Sequence, residues 1–181
     1  MRRILPLLVL AASCSGPEPD VRSQDAYERY LGAKELVASR DFVRLLPLLE
    51  DRHYLPVLGA LEALAEIGEP HALQHVAPRF KHEHPLVRRQ ACATAGALRN
   101  EEGIPLLAAM LKDPDPPVRR EAAKALARFG RKDDVTAALL EALGDRDPSV
   151  AFMAHEKLAE LTGLRVEERS RDAWSKALKA P

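Results

Sequence analysis

Four of the six histidines fall between residues 71 and 84. His71 and His75 stand four apart, which on a helix puts two imidazoles on one face. His82 and His84 flank Glu83 in the loop that follows. A helical pair plus a nearby loop can ligate zinc or another transition metal, provided the side chains converge. Spacing alone does not make them converge, and polar residues of a solvated helix and loop show the same pattern. The expectation is that no metal or other cofactor is bound, with His71, His75, His82 and His84 as the metal candidates.

Nucleophilic chemistry has little to build on. No Ser sits in a Gly-rich elbow, no Cys stands beside a base, and no phosphate-binding or dinucleotide fingerprint occurs. The two cysteines are Cys14 and Cys92. Cys92 lies at a small-residue position of a helix and reads as a buried thiol. No enzymatic activity is expected. Lys plus Arg and Asp plus Glu number 27 each, so no net field recruits nucleic acid, and no nucleic-acid partner is expected.

The elements that carry these residues repeat. In "DPDPPVRREAAKALARFG" (113–130), Asp115 can cap a helix, Pro116 and Pro117 suit its first turn, and Gly130 ends it. Val118, Ala122, Leu126 and Phe129 fall on one face. Thirty-one residues upstream, "HEHPLVRRQACATAGALRN" superposes Val87 on Val118, Arg88 and Arg89 on Arg119 and Arg120, and Ala91 on Ala122. "DRDPSVAFMAHEKLAELTG" downstream and "DRHYLPVLGALEALAEIG" further upstream keep the same apolar frame. A shorter apolar stretch ending at Leu49, Phe80, Leu111 or Leu143 precedes each copy. The unit is therefore a short helix, a tight loop and a longer helix. The 46% apolar but 4% aromatic composition, rich in Ala and Leu, suits packed helix pairs rather than a sheet.

The D-x-D-P-x-V-R-x-x-A-x-x-A-L pattern resembles the short bacterial HEAT repeats of the phycobilisome-lyase-like type. In the first copy the match is degenerate, with Pro56 at the Val position and Val57 at the Arg position. The resemblance implies an all-α fold: a right-handed α-solenoid of about four HEAT-like helix pairs with N- and C-terminal capping helices. The boundaries expected are a cap at 24–40, repeats at 41–69, 70–101, 102–132 and 133–163 (together 41–163), and a C-terminal cap at 164–181. The first cap, "QDAYERYLGAKELVA", does not match the repeat, and Tyr27, Tyr30, Leu31 and Leu36 are its expected inward contacts. Trp174 and Leu178 are expected to close the last repeat.

If second helices line the concave face, as the resemblance implies, the residues two, six and ten after each repeat Val point into the groove. These are Leu58, Glu62 and Glu66, then Arg89, Ala93 and Ala97, then Arg120, Lys124 and Arg128, then Phe152, Glu156 and Glu160. The groove would read acidic, basic, acidic. Arg89, Arg120, Lys124, Arg128 and Phe152 are the expected partner-binding residues, suited to an acidic segment of a protein. Arg88 and Arg119, one residue earlier, are expected instead to pair with loop aspartates such as Asp113.

The N-terminus, "MRRILPLLVLAASCSG", has a basic start, a short apolar run and small residues before Cys14. It reads as an export signal and resembles a bacterial lipoprotein signal, with Ala11 where Leu is usual. The resemblance implies cleavage of residues 1–13, lipid on Cys14 and a polar tether over 14–23. Ser15, not Asp, follows the Cys, which in enteric-type sorting favours an outer membrane facing the periplasm. The chain is thus read as a membrane-anchored scaffold of the bacterial cell envelope that binds a protein partner. An enzymatic or metal-dependent role for the His-rich second repeat is the alternative.

Overall fold

A computed structural model describes residues 20–179, and every regular element among them is helical. The helices form two rows. One row holds α1 (Ala26–Ser39), α3 (Tyr54–Ile67), α5 (Pro85–Leu98), α7 (Pro116–Leu126) and α9 (Pro148–Thr162), each packed on the next. The other holds α2 (Phe42–Leu49), α4 (Leu73–Val76), α6 (Gly103–Met110), α8 (Asp133–Ala142) and α10 (Arg171–Lys179). α2, α6 and α8 pack on the following long-row helix, and α4 does so with the 3₁₀ turn Ala77–Lys81. The result is an α-solenoid of helix pairs.

Local chemistry sets the ends of the long row. Asp25, His53, His84, Asp115 and Asp147 each accept a first-turn backbone N–H with the side chain. Pro85, Pro116 and Pro148 open α5, α7 and α9, where a missing N–H costs nothing. Each long-row helix, with a 3₁₀ turn Ala127–Phe129 extending α7, ends at a residue with positive φ: Arg40, Gly68, Arg99, Gly130 and Gly163.

The first helix of the second pair is not continuous. α4 is four residues long, flanked by 3₁₀ turns at Pro70–Ala72 and Ala77–Lys81. Pro78 lacks the N–H that would extend it and crowds the preceding turn. On the other side of α4, His71 lies in the Pro70–Ala72 turn, so it does not share one regular α-helix with His75, contrary to the spacing.

The core lies between the rows. Leu36, Leu45, Leu61, Leu64, Leu107, Leu126, Leu139 and Leu158 have at most 1% of their surface exposed, each burial worth roughly 1.5–3 kcal/mol. Long-row helices approach closely through small residues. A Cβ added at Gly96 of α5 would stand 2.9 Å from the Cβ of Ala125 in α7. One added at Gly59 of α3 would stand 2.9 Å from the Tyr30 carbonyl oxygen in α1. This contact explains the Ala-rich composition. No helix among the described residues is long and apolar enough to cross a membrane.

The two ends are closed differently. α10 packs against α8, and Trp174, fully buried, donates its indole N–H to His155 Nδ1 at 3.0 Å. α1 occupies a long-row place. Its Leu36 is buried and Tyr30 half-buried, but Tyr27 and Leu31 are 58% and 42% exposed. The expected inward direction of those two side chains is corrected.

Candidate protein-interaction surface

The rows are tied at their loop edge by a ladder of ion pairs. Arg88 of α5 forks onto Asp113, with Nε and Nη2 at 2.8 and 3.0 Å from its two oxygens. Arg119 of α7 does the same to Asp145, at 2.7 and 2.8 Å. In each, the remaining nitrogen donates to two loop carbonyls, those of His82 and Glu83 or of Asp113 and Pro114. Arg29 of α1 repeats the pattern on Asp51, at 2.7 and 2.9 Å, and on the Ser23 and Gln24 carbonyls. α1 is thus a long-row helix in full. Its Asp25 and Arg29 stand in the frame of Asp115 and Arg119, a match hidden because Glu28 and Gly32 occupy the Val and Ala positions.

Bidentate geometry and burial make these rungs structural. Burial opposes charge on Asp51 and Asp145. Even so, the guanidinium bonds and one backbone N–H each hold both carboxyls below their usual range. The carboxylate bonds in turn raise Arg29, Arg88 and Arg119.

One rung is missing. α3 has Val57 at the Arg position, and the loop residue it would meet is His82. His82 Nδ1 accepts the His84 N–H just as Asp113 and Asp145 accept those of Asp115 and Asp147. Cation and anion are absent together, which leaves no unpaired charge buried. Other contacts hold this junction. Tyr54 stacks on His84 with ring centroids 4.0 Å apart, Thr94 bonds the Leu61 carbonyl at 2.9 Å, and Arg79 bonds the Leu49 carbonyl and Glu50.

The charged positions on the long row divide into satisfied and free. Glu62 and Glu66 are held by Lys34 of α1, and Glu62 also accepts from Tyr30. The two carboxylates share one lysine, so the acidic first section expected from the sequence is half neutralised. Lys124 pairs with Glu121 at 3.3 Å and Lys157 with Glu160. Arg89, Arg120 and Arg128, and the acid Glu156 of α9, are exposed and carry no hydrogen bond or ion pair among the described residues. Phe152 is 42% exposed, and the Arg169 guanidinium lies over its ring at 4.9 Å. An intramolecular cation thus shares this candidate contact.

At the C-terminal ends of α5, α7 and α9 a cleft of about 580 Å³ opens. Arg99, Lys124, Arg128, Lys157 and Glu160 contribute to its walls. Arg99 was not singled out by the sequence; the signal was a non-Gly residue at a position that three other helix ends fill with Gly.

A family model described as HEAT repeats matches residues 77–159 and 105–178, which together span more than half the chain. The chain belongs to the HEAT repeat family. Its HEAT fold is also that of three solved structures. An engineered protein shares 19% identity at a TM-score of 0.57, covering 78% of this chain and 76% of its own. YibA of Escherichia coli shares 23% at 0.66, covering 88% and 62%. The complex of CpcE and CpcF of phycocyanin lyase from Nostoc sp. PCC7120 shares 18% at 0.68, covering 96% and 74%. A search of curated proteins found no match.

Within the HEAT stack the histidines do local work. His53 and His84 use Nδ1 to cap α3 and α5, and His82 takes a loop N–H. His71 is exposed beside Glu69 at 2.8 Å, and His75 meets Phe42 edge-on. No group of three or more His, Cys, Asp or Glu able to hold a metal occurs among the described residues. Cys92 is fully buried, and burial pushes its thiol far up, away from thiolate chemistry. The lipidation candidate Cys14 lies outside the described residues.

Proposed function

We propose that this HEAT-repeat protein is a membrane-anchored scaffold that captures a partner protein through the basic centre of its long row. The observation that carries the reading is the unpaired positive charge at the centre of the row. Glu62 and Glu66 share Lys34 at one end and Glu156 stands free at the other, whereas Arg89, Arg120 and Arg128 between them keep their charge available. The ion-pair ladder supports the role by fixing the spacing of the helices that display them. An acidic segment is the partner chemistry that suits this surface. The similarity in fold to a complex of two chains, CpcE and CpcF, agrees with a binding role. The anchor is a lipid on Cys14, and the location is the bacterial envelope, facing the periplasm from the outer membrane. Both rest on the N-terminal sequence.

The test is a crosslinked pull-down from envelope extract with the native chain and an Arg89→Glu/Arg120→Glu form. A protein captured by the native chain alone supports the surface; equal capture by both removes it. Cys14→Ser should move the protein out of the membrane fraction and abolish labelling with a fatty-acid analogue.

A further inference from the structure

Arg99 ends α5 with φ of 51°, in a place that α3, α7 and α9 fill with Gly68, Gly130 and Gly163. A side chain there carries backbone strain. The other arginine at such a place, Arg40, uses its guanidinium to bond the Ile67 carbonyl at 2.9 Å. Arg99 has no such bond. It is exposed, without a hydrogen bond or ion pair among the described residues, and it lines the cleft with Arg128.

We propose that this cleft is the carboxylate anchor for the acidic segment named above, with Arg99 and Arg128 as the ligand-binding residues. The proposal rests on the scaffold reading and narrows it from a strip of the long row to one recess. Two unpaired guanidiniums suit planar carboxylates, which they grip with two parallel bonds. Four cations, Arg99, Lys124, Arg128 and Lys157, line the cleft against one carboxylate, Glu160, which pairs with Lys157 within α9. An incoming carboxylate on Lys157 would replace that internal one. The volume, about 580 Å³, lies in the range of small-ligand sites and takes more than one side chain. Lys124, half-engaged by Glu121 at 3.3 Å, adds a further cation at the wall.

The test measures fluorescence anisotropy of a labelled eight-residue polyglutamate on the full chain in mild detergent, with polyglutamine as control. Arg99→Gly should weaken polyglutamate binding by about tenfold, the size of a lost charge-assisted bond. The same variant should hold or raise the melting temperature, since glycine relaxes the positive φ. Arg128→Gln should weaken binding similarly, and Glu160→Gln should strengthen it by freeing Lys157. Arg89→Gln and Arg120→Gln should change it less than threefold. Native affinity in a well-folded Arg99→Gly chain overturns the cleft. If only Arg89 and Arg120 matter, the cleft falls and the scaffold surface stands. If polyglutamate binds no better than polyglutamine, both fall.

Discussion

At the loop edge of the long row, three arginines fork onto carboxylates, Arg29 and Arg119 buried and Arg88 nearly so. At its C-terminal edge, Arg99 and Arg128 stand exposed with no partner among the described residues. The side chain is the same; its place along the helix decides its work. Near the N-terminal end, an arginine one turn in reaches the next loop, where an aspartate and two carbonyls wait. At the other end no loop aspartate comes within reach, and the charge remains for something outside the chain. The neighbours Arg119 and Arg120 show the same division within one turn, one 3% exposed and the other on the surface.

The sharpest way to break this contrast is Arg119→Ala. It leaves Asp145 with no cation on a side chain only 9% exposed, so unfolding free energy should fall by about 3 kcal/mol in urea titration. A loss under 1 kcal/mol would mean that the buried ladder is no more structural than the exposed edge. Next comes the missing rung. Val57→Arg/His82→Asp should restore it, each single change destabilising and the pair coupled by about 1 kcal/mol in a double-mutant cycle. Additive effects would show that the α3–α5 junction cannot form the pair.

Acid should act on the loop edge in two steps. Burial depresses the His82 imidazole below its ordinary value. The unfolded chain therefore takes that proton first as pH drops, and stability starts to decline below about pH 6.5. The depressed carboxyls of Asp51 and Asp145 add a second decline below about pH 4, as pH falls through their folded values. Melting curves should lose the upper step in His82→Gln and keep the lower. The smallest effect belongs to Arg120→Ala, which should change stability by less than about 0.5 kcal/mol. A larger loss would place Arg120 with the structural arginines.

The helix pairs were legible because their signals are local. Asp115 followed by Pro116 and Pro117, the apolar frame from Val118 to Phe129, and Gly130 recur with little change. Pairing of Arg88 with Asp113 was legible for the same reason, since both are fixed points of adjacent copies. The kinship of the capping helix α1 with the long row was not legible because Glu28 and Gly32 stand at the Val and Ala positions, although Asp25, Arg29 and Leu36 keep the frame. His71 and His75 were misplaced because the i, i+4 spacing assumes one α-helix, whereas His71 falls in the 3₁₀ turn that precedes α4. Arg99 was passed over because its meaning lies in a backbone angle.

The sequence by itself determined the helical period, the caps and the order of elements, since each depends on residues a few places apart on one strand of chain. It also placed Val57 where the other copies carry Arg and His82 where they carry Asp. Only the tertiary structure decided which charges remain free. Lys34 reaches Glu62 and Glu66 across a helix junction, and Arg169 covers Phe152 from the chain that follows α9. Availability of a charge depends on what packs within a few ångströms of it, and that is settled by how the rows stack.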